Sequence, residues 1–149
     1  MATHGMIDLE TLGVEPDSVI MTLGAIKFDP FTDAEPHSPI YLRGDIEDQT
    51  ENFNRSVDDN TLAWWGRQAQ EIQDEAFGDH DDRVAVPEML KVLNKSWNFW
   101  QIRDSRTLFA MMPSDPRKAI QESLHNALAD CFYQAKCVQQ SYKHFGVTK

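Results

Sequence analysis

The run Met6-Ile7-Asp8-Leu9-Glu10 sets two carboxylates two residues apart in an otherwise apolar stretch. In a β-strand, side chains two apart share a face, so Asp8 and Glu10 should project together while Ile7 and Leu9 turn to the core. Two carboxylates side by side repel, and ionising both is costly unless a cation lies between them. Mg²⁺ or Mn²⁺ answers that need, because hard cations prefer oxygen ligands. The alternative is a strand with one solvated face. Cys131 and Cys137, the two cysteines, fall in one predicted helix. Their spacing gives about 9 Å of rise, too far for a disulfide. No Cys/His spacing suggests a zinc site.

The elements that must carry these residues can be read from periodicity. Met6–Leu9 and Val19–Phe28 read as strands, joined by the turn-rich Gly13–Ser18, and Ile40–Leu42 reads as a third, completing an antiparallel meander. Gly44–Arg55 is acidic and polar and reads as a loop. Ser56, Asp58 and Asp59 offer caps for a helix over Thr61–Gln70, with Leu62, Trp65 and Ala69 at helical spacing. Gly78–Arg83 reads as a charged loop, and Val86–Leu93 as a helix with Pro87 in its first turn. After the aromatic run Ser96–Trp100, Arg103–Met112 reads as a helix ended by Pro113. Glu122–Phe145 is the longest periodic stretch, a helix that packs Leu124, Leu128, Cys131, Ala135 and Val138 on the sheet. Asn126 can cap it, which would leave His125 just outside in a mobile position and Asp130 on the second turn.

The segment from Asp8 to Gly13, followed by a turn and Ile20–Ala25, resembles the first motif of the DEDD superfamily of 3′→5′ exonucleases, of the ribonuclease-T-like kind. HNALADCFYQA resembles the third motif, with His125 and Asp130 standing where the DEDDh subgroup has its histidine and aspartate. Trp64-Trp65 and FWQIRDSRTL are similar to the phage and bacterial branch that includes T-even phage exonuclease A and small 3′→5′ exoribonucleases. The resemblance implies an α/β, ribonuclease H-like mixed sheet flanked by helices, forming one exonuclease-like domain over residues 1–149. It implies a two-metal Mg²⁺ or Mn²⁺ site with Asp8, Glu10 and Asp130 as ligands, Asp8 bridging to the second ion. His125 would be the general base, a role suited to a group that titrates near neutrality. Thr11 and the backbone near Leu12 would meet the terminal nucleotide. The implied reaction is hydrolysis of single-stranded DNA or RNA from the 3′ end to nucleoside 5′-monophosphates. Trp64 and Trp65 read as core and helix-packing residues. Arg103, Asp104 and Arg106 resemble a family feature or form an ordinary charged surface helix.

One motif of the resemblance is missing. The second-motif aspartate should lie between the Leu90 region and Trp97–Trp100, and Lys91–Ser96 contains no carboxylate. The sheet is therefore expected to lack one strand-helix unit beside the strand that bears Asp8. Three explanations stay open: a deletion, an inactive descendant kept for binding nucleic acid or protein, or an enzyme that recruits another acid such as Asp104 or Asp59. One cation could still be held, so metal binding should survive better than turnover, which in the two-metal scheme needs both ions. Apolar surface exposed by the loss would favour a homodimer or reduce stability.

The bulk numbers agree with one domain. A chain of 149 residues that is 41% hydrophobic can bury a core. Its net charge of −10 argues against a protein that holds nucleic acid by general phosphate neutralisation, although it leaves a metal-dependent nuclease open. No apolar stretch approaches a membrane span and the N-terminus shows no secretory signal, so a cytoplasmic location is expected.

Overall fold

The computed structural model describes residues 4–91, 97–119 and 125–149. Strands β1 (His4–Thr11), β2 (Ile20–Phe28) and β3 (His37–Gly44) form the antiparallel meander expected from the sequence, and β4 (Arg83–Val84) adds in parallel to β3. The order is β1-β2-β3-β4, which leaves β1 at an edge among the described residues. Around this mixed sheet lie α1 (Ile46–Phe53), α2 (Asp59–Trp65), α3 (Gln70–Phe77), α4 (Val86–Lys91), α5 (Ser105–Ala110) and α6 (Ala127–Phe145). The architecture is that of a ribonuclease H-like α/β fold.

Register fixes which residues share the working face. Asp8 pairs with Gly24, which pairs with Tyr41; Glu10 pairs with Thr22, which pairs with Arg43. Directly paired residues lie on one face, so each acid stands on its own row across three strands. Met6, Ile26 and Phe28 share a cluster with Cys131, Ala135 and Val138 of α6, which shows that α6 covers this face at one end. Leu12, Val19 and Met21 cluster with Trp65 of α2 and Ala76 of α3 and build a second apolar mass. On the other face Ile20, Leu23 and Ala25 close over Met89 of α4, with Ile7 packed at the margin.

Several sequence expectations change here. Leu9 does not enter the core: it is 39% exposed on the edge strand, and the cluster on its face takes in Ile7 instead. Gly44–Arg55 is not a loop but contains α1. Its Asp45 cap accepts from the Asp48 amide at 2.9 Å, and Glu47 and Asp48 complement the helix dipole in the first turn. The buried anchor of α1 is Gln49, whose amide pairs with both the N–H and the C=O of Ile20 at 2.9 and 2.7 Å. A polar anchor leaves no apolar periodicity to read. The helix expected over Thr61–Gln70 is cut at Gly66, a poor helix former, and the chain restarts at Gln70. Gln68 and Gln73 side chains take up the carbonyls of Trp64, Gly66 and Gln68 in the gap. The expected helices Val86–Leu93 and Glu122–Phe145 are seen over Val86–Lys91 and Ala127–Phe145, and Leu93 and Glu122–Leu124 lie outside the described residues. So does most of Lys91–Ser96, the interval in which the second-motif aspartate is expected.

Candidate metal centre and its surroundings

β1 delivers Asp8 and Glu10 half-buried beneath the start of α6, and α6 delivers Asp130 from above. Asn126 caps that helix, accepting from the Ala129 amide at 3.0 Å as expected. Asp130 sits in the first turn, not the second, because the helix begins at Ala127. The first turn is where the helix dipole favours an anionic side chain. Close approach of α6 depends on Gly24, since a Cβ there would stand 2.3 Å from the Ala127 carbonyl carbon. The Cys131 thiol adds a contact to the Gly24 carbonyl at 3.2 Å, and burial pushes its pKa upward, so it is a packing group. Both cysteines are free and buried.

One oxygen from each of Asp8, Glu10 and Asp130 lies within 4.8 Å of the others. Among the described residues this is the group of His, Cys, Asp and Glu side chains close enough to share an ion. Its electrostatics are those of crowded acids. Burial, then the charge of Asp130, pushes Asp8 up to about 6, while Gln134 and the Leu9 amide pull the other way. Burial, then the charges of Asp8 and Asp130, pushes Glu10 up to about 8. Asp130 is raised by burial and partly restored by His125 and by Glu10. Three half-buried carboxylates that cannot all ionise alone are a fitting donor set for a hard divalent cation.

The residues expected around the acids are distributed unevenly. His125 lies at the α6 entrance with φ of 38°, in the left-handed region. Its ring stands edge-on to Trp64, centroids 4.7 Å apart at 89°, and 6.2 Å from Trp65. Trp65 is 2% exposed and donates its indole N–H to the Thr11 carbonyl at 3.1 Å, tying α2 to the end of β1. Thr11 is half-buried and donates its hydroxyl to the Gly13 carbonyl at 2.7 Å. Leu12 is a core side chain whose N–H donates to Val19 and whose carbonyl accepts from Asp58. Asp104 and Asp59, considered as replacement acids, do not join the cluster. Asp104 caps α5 and is clamped by Arg106 at 2.6 Å, which holds its pKa down at about 2, and Asp59 begins α2 on the surface.

Residues 3–95 match the family described as the 3′-5′ exoribonuclease Rv2179c-like domain. The chain belongs to this family. A DEDD-type exonuclease relationship, read above from Asp8 to Gly13, is thereby established, and the matched span holds Asp8 and Glu10 but ends before His125 and Asp130. Searches of curated proteins and of solved structures found no match. No helix among the described residues is long and apolar enough to cross a membrane.

Sequence reasoning missed two neighbours in this Rv2179c-like chain. Gln134, one turn beyond Asp130 on α6, lies near enough to Asp8 to lower its pKa, and its i to i+4 spacing from Asp130 is the available signal. Trp64 packs on Trp65 as expected, centroids 5.1 Å apart, and its unforeseen neighbour is the ring of His125. Further along the face, Arg43 is held by Glu75 at 2.6 Å and Asp82 at 2.7 Å and lies 5.0 Å from the centroid of the Tyr41 ring. Its charge is already matched by two acids.

Proposed function

We propose that this chain is a divalent-cation-dependent 3′→5′ exoribonuclease acting on single-stranded RNA ends, with Asp8, Glu10 and Asp130 holding Mg²⁺ or Mn²⁺. The observation that carries the reading is the convergence of three acids from opposite ends of the chain within 4.8 Å, in a member of an exoribonuclease family. A bound divalent cation would meet the phosphate charge and acidify water at neutral pH. On this reading the chain's own residues do the rest. His125 accepts the proton of the attacking water on a ring nitrogen, which is also the basis for the DEDDh assignment. Its ring orientation is restrained by Trp64. Asp8 and Glu10 are fixed by the strand ladder, and the Thr11 hydroxyl lies at the end of that strand, where the terminal nucleotide would rest. The Leu12 backbone is engaged on both sides, so its part would be to shape this wall. Because α6 lies beyond the family match yet supplies Asp130, residues 1–149 are read as one functional domain.

A second reading has a specific observation behind it: among the described residues no fourth carboxylate joins the three. A scaffold that binds one cation and RNA without turnover would look the same. The two are separated by incubating a 5′-labelled single-stranded RNA with Mn²⁺. Stepwise shortening from the 3′ end that disappears in Asp8→Ala supports the enzyme, and identical traces for the two proteins support the binding module.

A further inference from the structure

Thr22 pairs directly with Glu10 across the β1–β2 ladder, on the face that carries the three acids. Cβ atoms of directly paired residues lie about 4.5–5.5 Å apart, which makes the two side chains neighbours. Thr22 is 2% exposed, and its Oγ1 is shut off from solvent with no hydrogen-bond partner among the described residues. A buried hydroxyl left unpaired is destabilising, and most such groups in folded proteins find a partner. The far side of the row does not supply one. Arg43 pairs with Thr22 from β3, and its terminal nitrogens are taken by Glu75 and Asp82. Its Nε–H is buried and unpartnered as well, but a guanidinium only donates, so it could never use the hydroxyl proton. The Tyr41 phenol, on the same face opposite Gly24, makes no hydrogen bond to Thr22 either. The hydroxyl proton needs an acceptor, and the half-buried carboxyl group across the ladder is one.

We infer from this placement that Thr22 is a positioning residue of the metal centre: when a divalent cation gathers the three carboxylates, its hydroxyl donates to Glu10 and holds one oxygen while the other faces the ion. The inference rests on the reading of Glu10 as a metal ligand. It adds a task for a neutral side chain that touches neither ion nor substrate, and it gives the orphaned hydroxyl its partner. An ionised carboxylate only accepts, and its two oxygens leave room for both an ion and a donor. Hydrogen bonds to ligating carboxylates orient them, and their removal typically costs about 10- to 100-fold in metal affinity. In the metal-free protein the same hydroxyl is a burden, so deleting it should act in opposite directions on stability and on affinity.

The test is Mn²⁺ binding followed by calorimetry or by the EPR signal of free Mn²⁺, together with a thermal melt of each metal-free variant. Thr22→Val keeps the shape of the side chain without its hydroxyl. It should weaken Mn²⁺ binding about 10-fold or more while the metal-free protein melts at the parent temperature or above it. Thr22→Ser, which keeps the hydroxyl, should bind Mn²⁺ nearly as the parent does, and so should Tyr41→Phe. Unchanged Mn²⁺ affinity in Thr22→Val overturns the inference. A fall in its affinity accompanied by a lower metal-free melting temperature overturns it too, because the hydroxyl is then structural. If Tyr41→Phe weakens Mn²⁺ as much as Thr22→Val, the hydroxyl serves the phenol and the inference is again lost. If Glu10→Gln abolishes binding while Thr22→Val binds normally, the positioning role falls and the metal site stands. If Glu10→Gln binds Mn²⁺ as the parent does, both fall together.

Discussion

Glu10 on β1 and Asp130 on α6 hold one carboxylate oxygen each within 4.8 Å of the other. Burial and the neighbouring charges of Asp8 and Asp130 push Glu10 up to about 8, so the three acids resist ionising together near neutral pH. The metal-free site is thus a partly protonated form of a three-carboxylate cage. On the proposed function, deprotonation and cation binding would be two sides of one equilibrium there.

Stability of the metal-free protein should depend on pH through this pair. Glu10 is raised from 4.5 to about 8 and Asp8 from 3.8 to about 6, so folding takes up protons between those values. Where the folded state binds more protons, stability falls as pH rises. The contribution is full below about pH 4 and is lost progressively up to about pH 8. Urea unfolding from pH 5 to 8 checks this: Glu10→Gln should flatten the slope and be the more stable protein at pH 8 when metal is absent.

Divalent cations should reverse that loss. Mn²⁺ at about one hundred times its dissociation constant should add about 2.7 kcal/mol at pH 8. The gain should shrink towards pH 5, where the ligands hold protons that the ion must displace. Melting curves with and without Mn²⁺ at the two pH values measure this, and Asp130→Asn should abolish most of the difference.

How much of this was legible beforehand differs by element. The three strands and the shared face of Asp8 and Glu10 follow from alternation and turn composition, which are local. Asn126 was legible as a cap for the same reason. The helix α1 was not, because its anchor Gln49 is polar and its partner is the Ile20 backbone in a distant strand. The nearness of Gln134 to Asp8 and of Trp64 to His125 joins elements whose packing no periodicity specifies. Exposure of Leu9 depends on what lies beside an edge strand, again a property of the assembled sheet.

Gly24 should tolerate no side chain without moving α6. The Cβ of Gly24→Ala would stand 2.3 Å from the Ala127 backbone, so the helix start must lift and carry Asp130 with it. Overpacking of this kind costs about 1–3 kcal/mol. Denaturant melts should show that loss, and Mn²⁺ titration should show a weakened site even where the variant is folded.

Trp64 should influence turnover more than metal affinity. Its ring restrains that of His125 at 4.7 Å, and a positioned general base contributes about 10²–10⁴-fold. Trp64→Ala is expected to lose about 10- to 100-fold in single-turnover RNA cleavage, part of that contribution, and Trp64→Phe less. Mn²⁺ affinity should be unchanged in both.

The most direct measurement is anomalous X-ray diffraction from crystals soaked in Mn²⁺. The expected result is an anomalous peak bounded by one oxygen each from Asp8, Glu10 and Asp130, absent in crystals of Asp8→Asn. Manganese found elsewhere on this acidic chain, with the space between those three carboxylates empty, would contradict it.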